Sequence, residues 1–272
     1  MPIGKCRLCL HQKSLVGSHF MPGALYDICN PPGFDPIKVT STVVMPTSRQ
    51  TQDYVLCADC ENLLNRTGET WVIPKLATYE KKFALHEMLI REEPLFDTGD
   101  ITVYLAARIP EIDVEKITGF AMGIFWKASV HSWLGGASAP RIELGPYSEA
   151  LRKYLYREAP FPRNVALMVT LCPLPSAIIA FHDPHETERM DGWRSFACYV
   201  PGVQFLIGVG KRLSDDIKDF CFATRPEHPI LVSEHMSRKV NEMFRDLFIK
   251  SRKSEAYLRA KAKRDQVLCR KR

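Results

Sequence analysis

The first quarter of the chain has its apolar positions in short runs among turn-forming residues. Residues 1–70 are rich in Pro, Gly, Ser and Thr, which interrupt regular structure. Strand-like pieces are predicted at Ile37–Val44 and Tyr54–Leu56, and a short helix at Asp59–Asn65. The core that these segments can form on their own is thin, so this part of the chain needs another source of stability.

Helical periodicity dominates the next part of the chain. The apolar spacing predicts a helix over Thr78–Ile90 and an amphipathic helix over Tyr147–Glu158. Between them, Val114–Leu134 reads as a helix that is apolar nearly all round. We therefore expect this segment to be the central buried helix.

The period then changes from that of helices to that of strands. Four short apolar runs rich in Val, Ile, Phe and Tyr are separated by turn residues: 165–172, 177–183, 194–200 and 203–210. Pro201-Gly202 suits a tight turn between the last two runs. The pattern predicts a four-stranded antiparallel meander, and helices followed by strands indicate the α+β class.

A single long helix is predicted from Ser233 to Gln266, with an apolar first half and a basic second half. The whole pattern divides the chain into a small module, residues 1–75, and a larger α+β domain, residues 76–272, that ends in this basic helix. We find no internal repeat and no low-complexity segment.

Composition restricts the class of protein. The chain has 272 residues, of which 46% are hydrophobic and 25% charged, as in folded globular proteins. No apolar run approaches the roughly 18 to 20 residues that a membrane helix needs, and no signal peptide is visible at the N-terminus. We expect a cytoplasmic protein that does not bind membranes, in which cysteines serve as thiols or metal ligands and not as disulfides.

Two cysteine pairs flank the small module. Cys6 and Cys9 form one C-x2-C motif, Cys57 and Cys60 form another, and 47 residues separate them. Each motif can direct two thiolates from one turn to the same tetrahedral ion. Four sulfur ligands leave no open coordination position, so the sequence predicts a structural zinc ion.

Between the cysteine pairs lies Ser18-His19-Phe20-Met21-Pro22. The order Cys-x2-Cys, His-x2-Pro and Leu-Cys-x2-Cys over residues 6–66 resembles the zinc-bearing HNH, or ββα-metal, endonucleases. The resemblance implies a module of two strands and a helix that binds nucleic acid, and a divalent ion, Mg²⁺ or Mn²⁺, beside the scissile phosphate. It also implies a setting in bacterial defence or mobile elements.

Three residues match the catalytic positions of that family. His19 corresponds to the histidine that deprotonates the attacking water, a role that suits a group titrating near neutrality. Gln52 lies at the position of the family's middle Asn and Glu61 at that of its last His. Ser18 stands where the family usually has an Asp that binds the metal. Glu61 and Asp59 carry oxygens suited to a hard cation.

Three functions remain open from the sequence. The formal net charge of +6 is concentrated near the C-terminus. A basic segment there suits a nucleic-acid partner, with DNA as the first candidate. The first function is therefore nucleic-acid binding by the HNH-like module, with endonuclease activity. The second is a non-catalytic module in which residues 76–250 bind a protein partner. The third is a small-molecule enzyme or sensor that uses the loop His182-Asp183-Pro184-His185-Glu186.

Overall fold

The computed structural model of the protein describes residues 1–30, 36–39, 43–47, 49–133, 142–190 and 192–269. Its elements confirm a mixed α+β protein with several sheets. In the first 75 residues the structure has strands β1 (Ile3–Lys5) and β2 (Gln12–His19), helix α1 (Gly23–Ile28), strands β3 (Ile37–Val39), β4 (Val43–Pro46) and β5 (Gln52–Cys57), and helix α2 (Ala58–Leu64).

The first sheet has the order β1-β2-β5, with antiparallel pairing throughout. The predicted strand at Tyr54–Leu56 lies within β5, and the predicted helix at Asp59–Asn65 is α2, shifted by one residue. The predicted strand piece at Ile37–Val44 is a pair of strands, β3 and β4, and residues 40–42 between them lie outside the described ranges.

Helix α2 continues without a break to residue 75. A π-helical turn at Asn65–Glu69 follows it, then α3 (Thr70–Val72) and a 3-10 turn at Ile73–Lys75. The wider turn frees backbone carbonyls, and threonine hydroxyls satisfy them. Thr67 Oγ1 donates to the carbonyl of Leu63 at 2.8 Å, and Thr70 Oγ1 donates to that of Asn65 at 3.2 Å.

The central helix, α5 (Val114–Val130), follows α4 (Ala84–Leu89). Asp113 caps its N-terminus by accepting a hydrogen bond from the backbone N–H of Lys116 at 3.0 Å. Every residue from Ile117 to Ser129 is buried, which confirms the prediction of a central buried helix. The helix ends at Val130, and Leu134, the predicted end, lies outside the described residues.

Two glycines let α5 approach the π-helical turn. A Cβ atom at Gly68 would lie 2.6 Å from the backbone nitrogen of Phe120, and one at Gly119 would lie 2.8 Å from the carbonyl oxygen of Thr67. Real Cβ atoms do not come so close to backbone atoms. The two segments therefore pack backbone to backbone, and the module is held directly against the central helix.

A seven-stranded sheet forms most of the rest of the fold. Its order is β6-β7-β12-β8-β11-β10-β9. The strands are β6 (Phe96–Asp97), β7 (Thr102–Leu105), β8 (Val165–Leu171), β9 (His182–Met190), β10 (Trp193–Val200), β11 (Val203–Gly210) and β12 (Pro229–Val232). In the chain, helix α6 (Tyr147–Leu155) precedes β8, and helix α7 (Asp215–Asp219) follows β11.

The predicted meander is correct only for its last three strands. Strands β9, β10 and β11 pair in sequence order, and Gly202 with φ +79° makes the predicted turn between β10 and β11. However, β8 pairs with β11 and, in parallel, with β12, so it does not neighbour β9. The second strand also begins at His182 and not at Ala177, so the predicted loop 182–186 is part of β9.

Two predicted helices differ from the observed ones. The segment Thr78–Ile90 is helical only over α4, because Lys81 adopts φ +62° in a turn closed by the N–H of Lys81 and the carbonyl of Thr78. The helix predicted over Ser233–Gln266 is two helices, α8 (Glu234–Lys250) and α9 (Glu255–Cys269). The break is strand β13 (Arg252–Lys253), which pairs in parallel with β4.

One hydrophobic core includes side chains from both sides of residue 75, among them Leu64, Phe83, Phe120 and Phe205. The division at residue 75 stays a prediction. In the described part of the chain, no helix combines the length and the apolar character needed to cross a bilayer.

The glycine contact between the module and α5 is testable. Gly68→Ala places a methyl group against the backbone of Phe120, so we expect the free energy of unfolding to fall by about 1–3 kcal/mol. Gly123→Ala, in the same helix α5, is the control, because nothing lies within 4 Å of its new Cβ. It should leave stability unchanged or raise it by up to about 1 kcal/mol. Urea unfolding measures both, and equal effects of the two variants would contradict the packing.

Candidate metal centre and histidine site

The four paired cysteines meet at one point. Cys6 and Cys9 lie in the turn between β1 and β2, whereas Cys57 ends β5 and Cys60 lies in the first turn of α2. The pairing of Leu15 with Cys57 aligns β2 and β5 and brings the two motifs together. All four Sγ atoms lie within 4.8 Å of one another, and those of Cys9 and Cys57 are 4.0 Å apart.

This spacing fits a single tetrahedral ion. With metal–sulfur bonds of about 2.3 Å, the sulfur atoms of a tetrahedral zinc site lie about 3.8 Å apart, close to the observed separation. All four cysteines are buried. The donor set therefore fits a closed structural metal site, and it is the only group of three or more His, Cys, Asp or Glu side chains in the described residues that could hold a metal ion.

The turn that carries the first pair is shaped for thiolates. Leu10 takes φ +63°, and its N–H donates to the carbonyl of Cys6 at 2.9 Å. The backbone N–H of Cys57 points at Cys6 Sγ, 3.4 Å away. A hydrogen bond from the thiol of Cys60, with the backbone donors around it, lowers the pKa of Cys6. Cys6 is thus the thiol favoured as thiolate, whereas the hydrogen bond to Cys6 raises the pKa of Cys60 and burial raises that of Cys9.

Arg152 of α6 supports this turn from the larger part of the chain. Its Nη1 donates to the carbonyl of Leu8 at 2.8 Å, between the two cysteines of the first motif. Glu149 and Glu158 accept from the other guanidinium nitrogens at 2.9 and 2.5 Å. The guanidinium is buried but paired, so its charge is compensated. Sequence periodicity placed Arg152 on a helix but gave no partner for it.

The structure places His19 and Gln52 side by side. His19 ends β2 directly opposite Gln52 of β5, and its Nε2 contacts the Gln52 amide. Gly23 leaves room for the imidazole, since a Cβ there would lie 3.3 Å from His19 Cε1. Tyr26 packs nearby, with its ring centroid 6.5 Å from that of His19. The amide contact fixes the orientation of the ring.

Glu61, the third predicted site residue, faces a lysine. Nζ of Lys127, on α5, lies 3.8 Å from Glu61 Oε1 and 3.5 Å from Glu69 Oε1. The same ammonium donates to the backbone carbonyl of His19 at 3.2 Å. The side chain of Lys127 is only 2% exposed. We call this arrangement of Lys127, Glu61, Glu69 and the His19 carbonyl the Lys127 cluster.

Ser18 takes no part in the cluster. Its side chain is fully buried, and its Oγ accepts a hydrogen bond from the backbone N–H of Leu56 at 3.3 Å, next to an irregularity in the β2–β5 pairing. A hard divalent ion needs several oxygen ligands around it. Here the serine hydroxyl is engaged in the sheet and Glu61 is paired with an ammonium, so these residues do not fit the Mg²⁺ or Mn²⁺ ion that the resemblance implies. Asp59 is paired with Lys13 at 2.7 Å.

Asp53 and His131 form a second pair that sequence reasoning missed. Asp53 Oδ2 lies 2.7 Å from His131 Nε2, at the end of α5. This hydrogen bond lowers the pKa of Asp53. Next to it, Trp133 stacks on Phe20 with ring centroids 5.3 Å apart and donates from Nε1 to the carbonyl of Lys127 at 2.9 Å. The pair links β5 to α5.

The segment 182–186 does not converge on a metal. Nδ1 of His182 and Nδ1 of His185 lie 2.9 and 3.1 Å from the carbonyl of Asp183. Burial lowers the pKa of His182 to about 4. Glu186 is paired with Arg194 of the neighbouring strand. These side chains serve strand β9 and its packing, and their geometry gives no support to a catalytic site.

Metal analysis tests the cysteine site. We expect one equivalent of metal per chain, and Co²⁺ substitution should give the absorption bands of a tetrahedral tetrathiolate. Cys57→Ser should lose the metal, whereas Cys29→Ser should keep it, because Cys29 lies outside the group. Acidification should release the ion, since thiolates take up protons in competition with it. Metal-free protein at full stability would contradict the site.

Comparison with models of protein families, with curated proteins and with solved structures finds no match to this chain. Its function is therefore inferred from the geometry of its own residues.

Proposed function

We propose that the protein binds nucleic acid, that its four cysteines hold a structural zinc ion, and that the HNH-like module binds without cleaving. The observation that carries the proposal is the attachment of the basic C-terminal segment to the zinc-organised module. The evidence for it comes from the charge distribution, from the strand that joins the two parts, and from the Lys127 cluster.

The excess of positive over negative charge lies in the last 23 residues of the chain. Residues 250–272 contain ten of the 37 Lys and Arg residues and two of the 31 Asp and Glu residues, so the rest of the chain carries a formal charge of −2. The net charge of +6 is thus not spread over the surface. A concentrated basic segment is the electrostatic feature that nucleic-acid phosphates recognise.

This segment is fixed to the module by backbone hydrogen bonds. Strand β13 pairs with Val43 and Val44 of β4, and the N–H of Ser254 donates to the carbonyl of Val44 at 3.0 Å. Helix α9 then begins at Glu255, with Lys261 and Lys263 exposed. The basic helix therefore starts next to strand β4 of the module.

The Lys127 cluster supports binding without cleavage. Metal-assisted phosphodiester hydrolysis needs a cation with open coordination positions for water and phosphate. Glu61 is paired with an ammonium, and Ser18 supplies no carboxylate. Endonuclease activity through His19 and the defence context stay predictions of the resemblance. DNA as the target, a protein partner for residues 76–250 and the cytoplasmic location stay predictions from the sequence.

Binding is tested by fluorescence anisotropy with duplex DNA and with single-stranded RNA at several salt concentrations. We expect affinity to fall steeply with salt. The double variant Lys261→Gln/Lys263→Gln should bind more weakly and reduce the slope of log K against log salt by about 1–2. The control Lys211→Gln/Arg212→Gln removes two exposed cations at the end of β11 and should change neither quantity. Equal effects of the two double variants, or no binding by wild type, would refute the proposal.

Cleavage is tested by incubating zinc-loaded protein with supercoiled plasmid and Mg²⁺ or Mn²⁺. We expect no nicking above the background of a His19→Ala preparation purified in parallel. Metal-dependent nicking by wild type that His19→Ala abolishes would instead establish the endonuclease.

A further inference from the structure

Lys127 is a buried cation in the stretch Ile117–Ser129 of helix α5, where every residue is buried. Its side chain is 2% exposed, and its neighbours on α5, Trp126 and Ala128, are fully buried. Removing an ammonium from water is costly unless opposite charges and acceptors replace the water. A lysine at this position therefore needs a defined set of oxygen atoms around it.

Three oxygen atoms from three separate segments surround the ammonium. The carbonyl of His19 comes from the end of β2, Glu61 from α2, and Glu69 from the π-helical turn. The distances from Nζ are 3.2, 3.8 and 3.5 Å. Two carboxylates and a backbone carbonyl are also the ligands that hard divalent ions prefer in proteins. Glu61 has one further oxygen, Oε2, which is buried with no hydrogen-bond partner among the described residues.

We propose that Lys127 is a built-in cation of the module: its ammonium takes the place, between Glu61, Glu69 and the His19 carbonyl, that a divalent ion would otherwise occupy. The module would then hold two cations of different kinds, a metal ion bound by the four thiols and a covalently attached ammonium. This inference does not depend on nucleic-acid binding, because it concerns only which cation the oxygen atoms hold.

The backbone around Lys127 fixes the ammonium in place. Glycines at positions 68 and 119 bring α5 against the π-helical turn that carries Glu69. The carbonyl of Lys127 itself accepts a hydrogen bond from Trp133 Nε1 at 2.9 Å. The side chain consequently reaches the two carboxylates from a rigid helix. It is not a surface lysine that folds over them.

An ammonium in place of a divalent ion changes what the site can do chemically. An ammonium carries one positive charge, donates a hydrogen bond to the His19 carbonyl, and forms ion pairs with Glu61 and Glu69. It has no coordination shell into which water or a phosphate oxygen could enter. The cluster can therefore offset one of the two negative charges and tie three segments together, but it cannot activate a nucleophile as a metal ion does.

Manganese binding to the zinc-loaded protein tests the proposal, with Mn²⁺ itself as the probe and electron paramagnetic resonance as the readout. We expect wild type to bind no stoichiometric Mn²⁺ at this position. Lys127→Ala should gain one equivalent, and Mn²⁺ should raise its Tm by at least about 3 °C through mass action. The double variant Lys127→Ala/Glu61→Gln should lose both gains.

Lys116→Ala is the matched control. Lys116 lies on the same helix, and its Nζ also donates to a module carbonyl, that of Arg66, at 2.7 Å, but it contacts no carboxylate of the cluster. This variant should show no gain in Mn²⁺ binding.

Two results would overturn the proposal. One is a stoichiometric Mn²⁺ site in wild type that Glu61→Gln removes, because the oxygen atoms would then hold a divalent ion beside the lysine. The other is a folded Lys127→Ala variant that binds no Mn²⁺. Should Lys127→Ala not fold, Lys127→Gln, which removes the charge and keeps most of the side chain, takes its place in the same Mn²⁺ measurement.

Discussion

The meeting of four thiols at one point is the constraint on which the rest of the module depends. The segments of the module are short and are interrupted by turn residues, so the thiol cluster adds to core packing in setting the register of its strands. The two cysteine motifs fix the start of β2 and the end of β5 relative to each other. That register sets His19 opposite Gln52, and helix α2 leaves the same junction with Glu61 in its first turn. The thiol cluster, the β2–β5 pairing and the buried side chains of the module together hold these side chains in order.

The central helix α5 supplies a second set of contacts that hold the module in place. Helix α5 supplies Lys127 to Glu61 and Glu69, and its end supplies His131 to Asp53. Arg152 of α6 reaches the metal-binding turn at Leu8. Each contact joins a charged side chain of the larger part to the module. The site is therefore assembled from segments more than a hundred residues apart, and it is not a property of the first 66 residues alone.

The local sequence patterns predicted most helices and strands well. They did not predict which strands lie next to each other in the sheets. The C-x2-C spacing was sufficient to foresee the thiol cluster, and the unbroken apolar run was sufficient to foresee α5. Strand order was not foreseeable, because the parallel pairing of β8 with β12 joins residues about 60 positions apart and leaves no periodic signal. Strand β9 was misplaced because it is an edge strand, where Pro184 and polar side chains are tolerated. The break between α8 and α9 follows from pairing with β4, which helical periodicity does not register.

The contacts of Lys127 and Arg152 with the module share a feature that bears on how this protein can vary. Both cations donate to main-chain carbonyl oxygens, those of His19 and Leu8. A carbonyl is present whatever amino acid occupies the position, so the docking of the two halves does not constrain the identity of residues 8 and 19. Sequence drift at His19 could remove an imidazole, and with it any chemistry, while leaving the architecture intact.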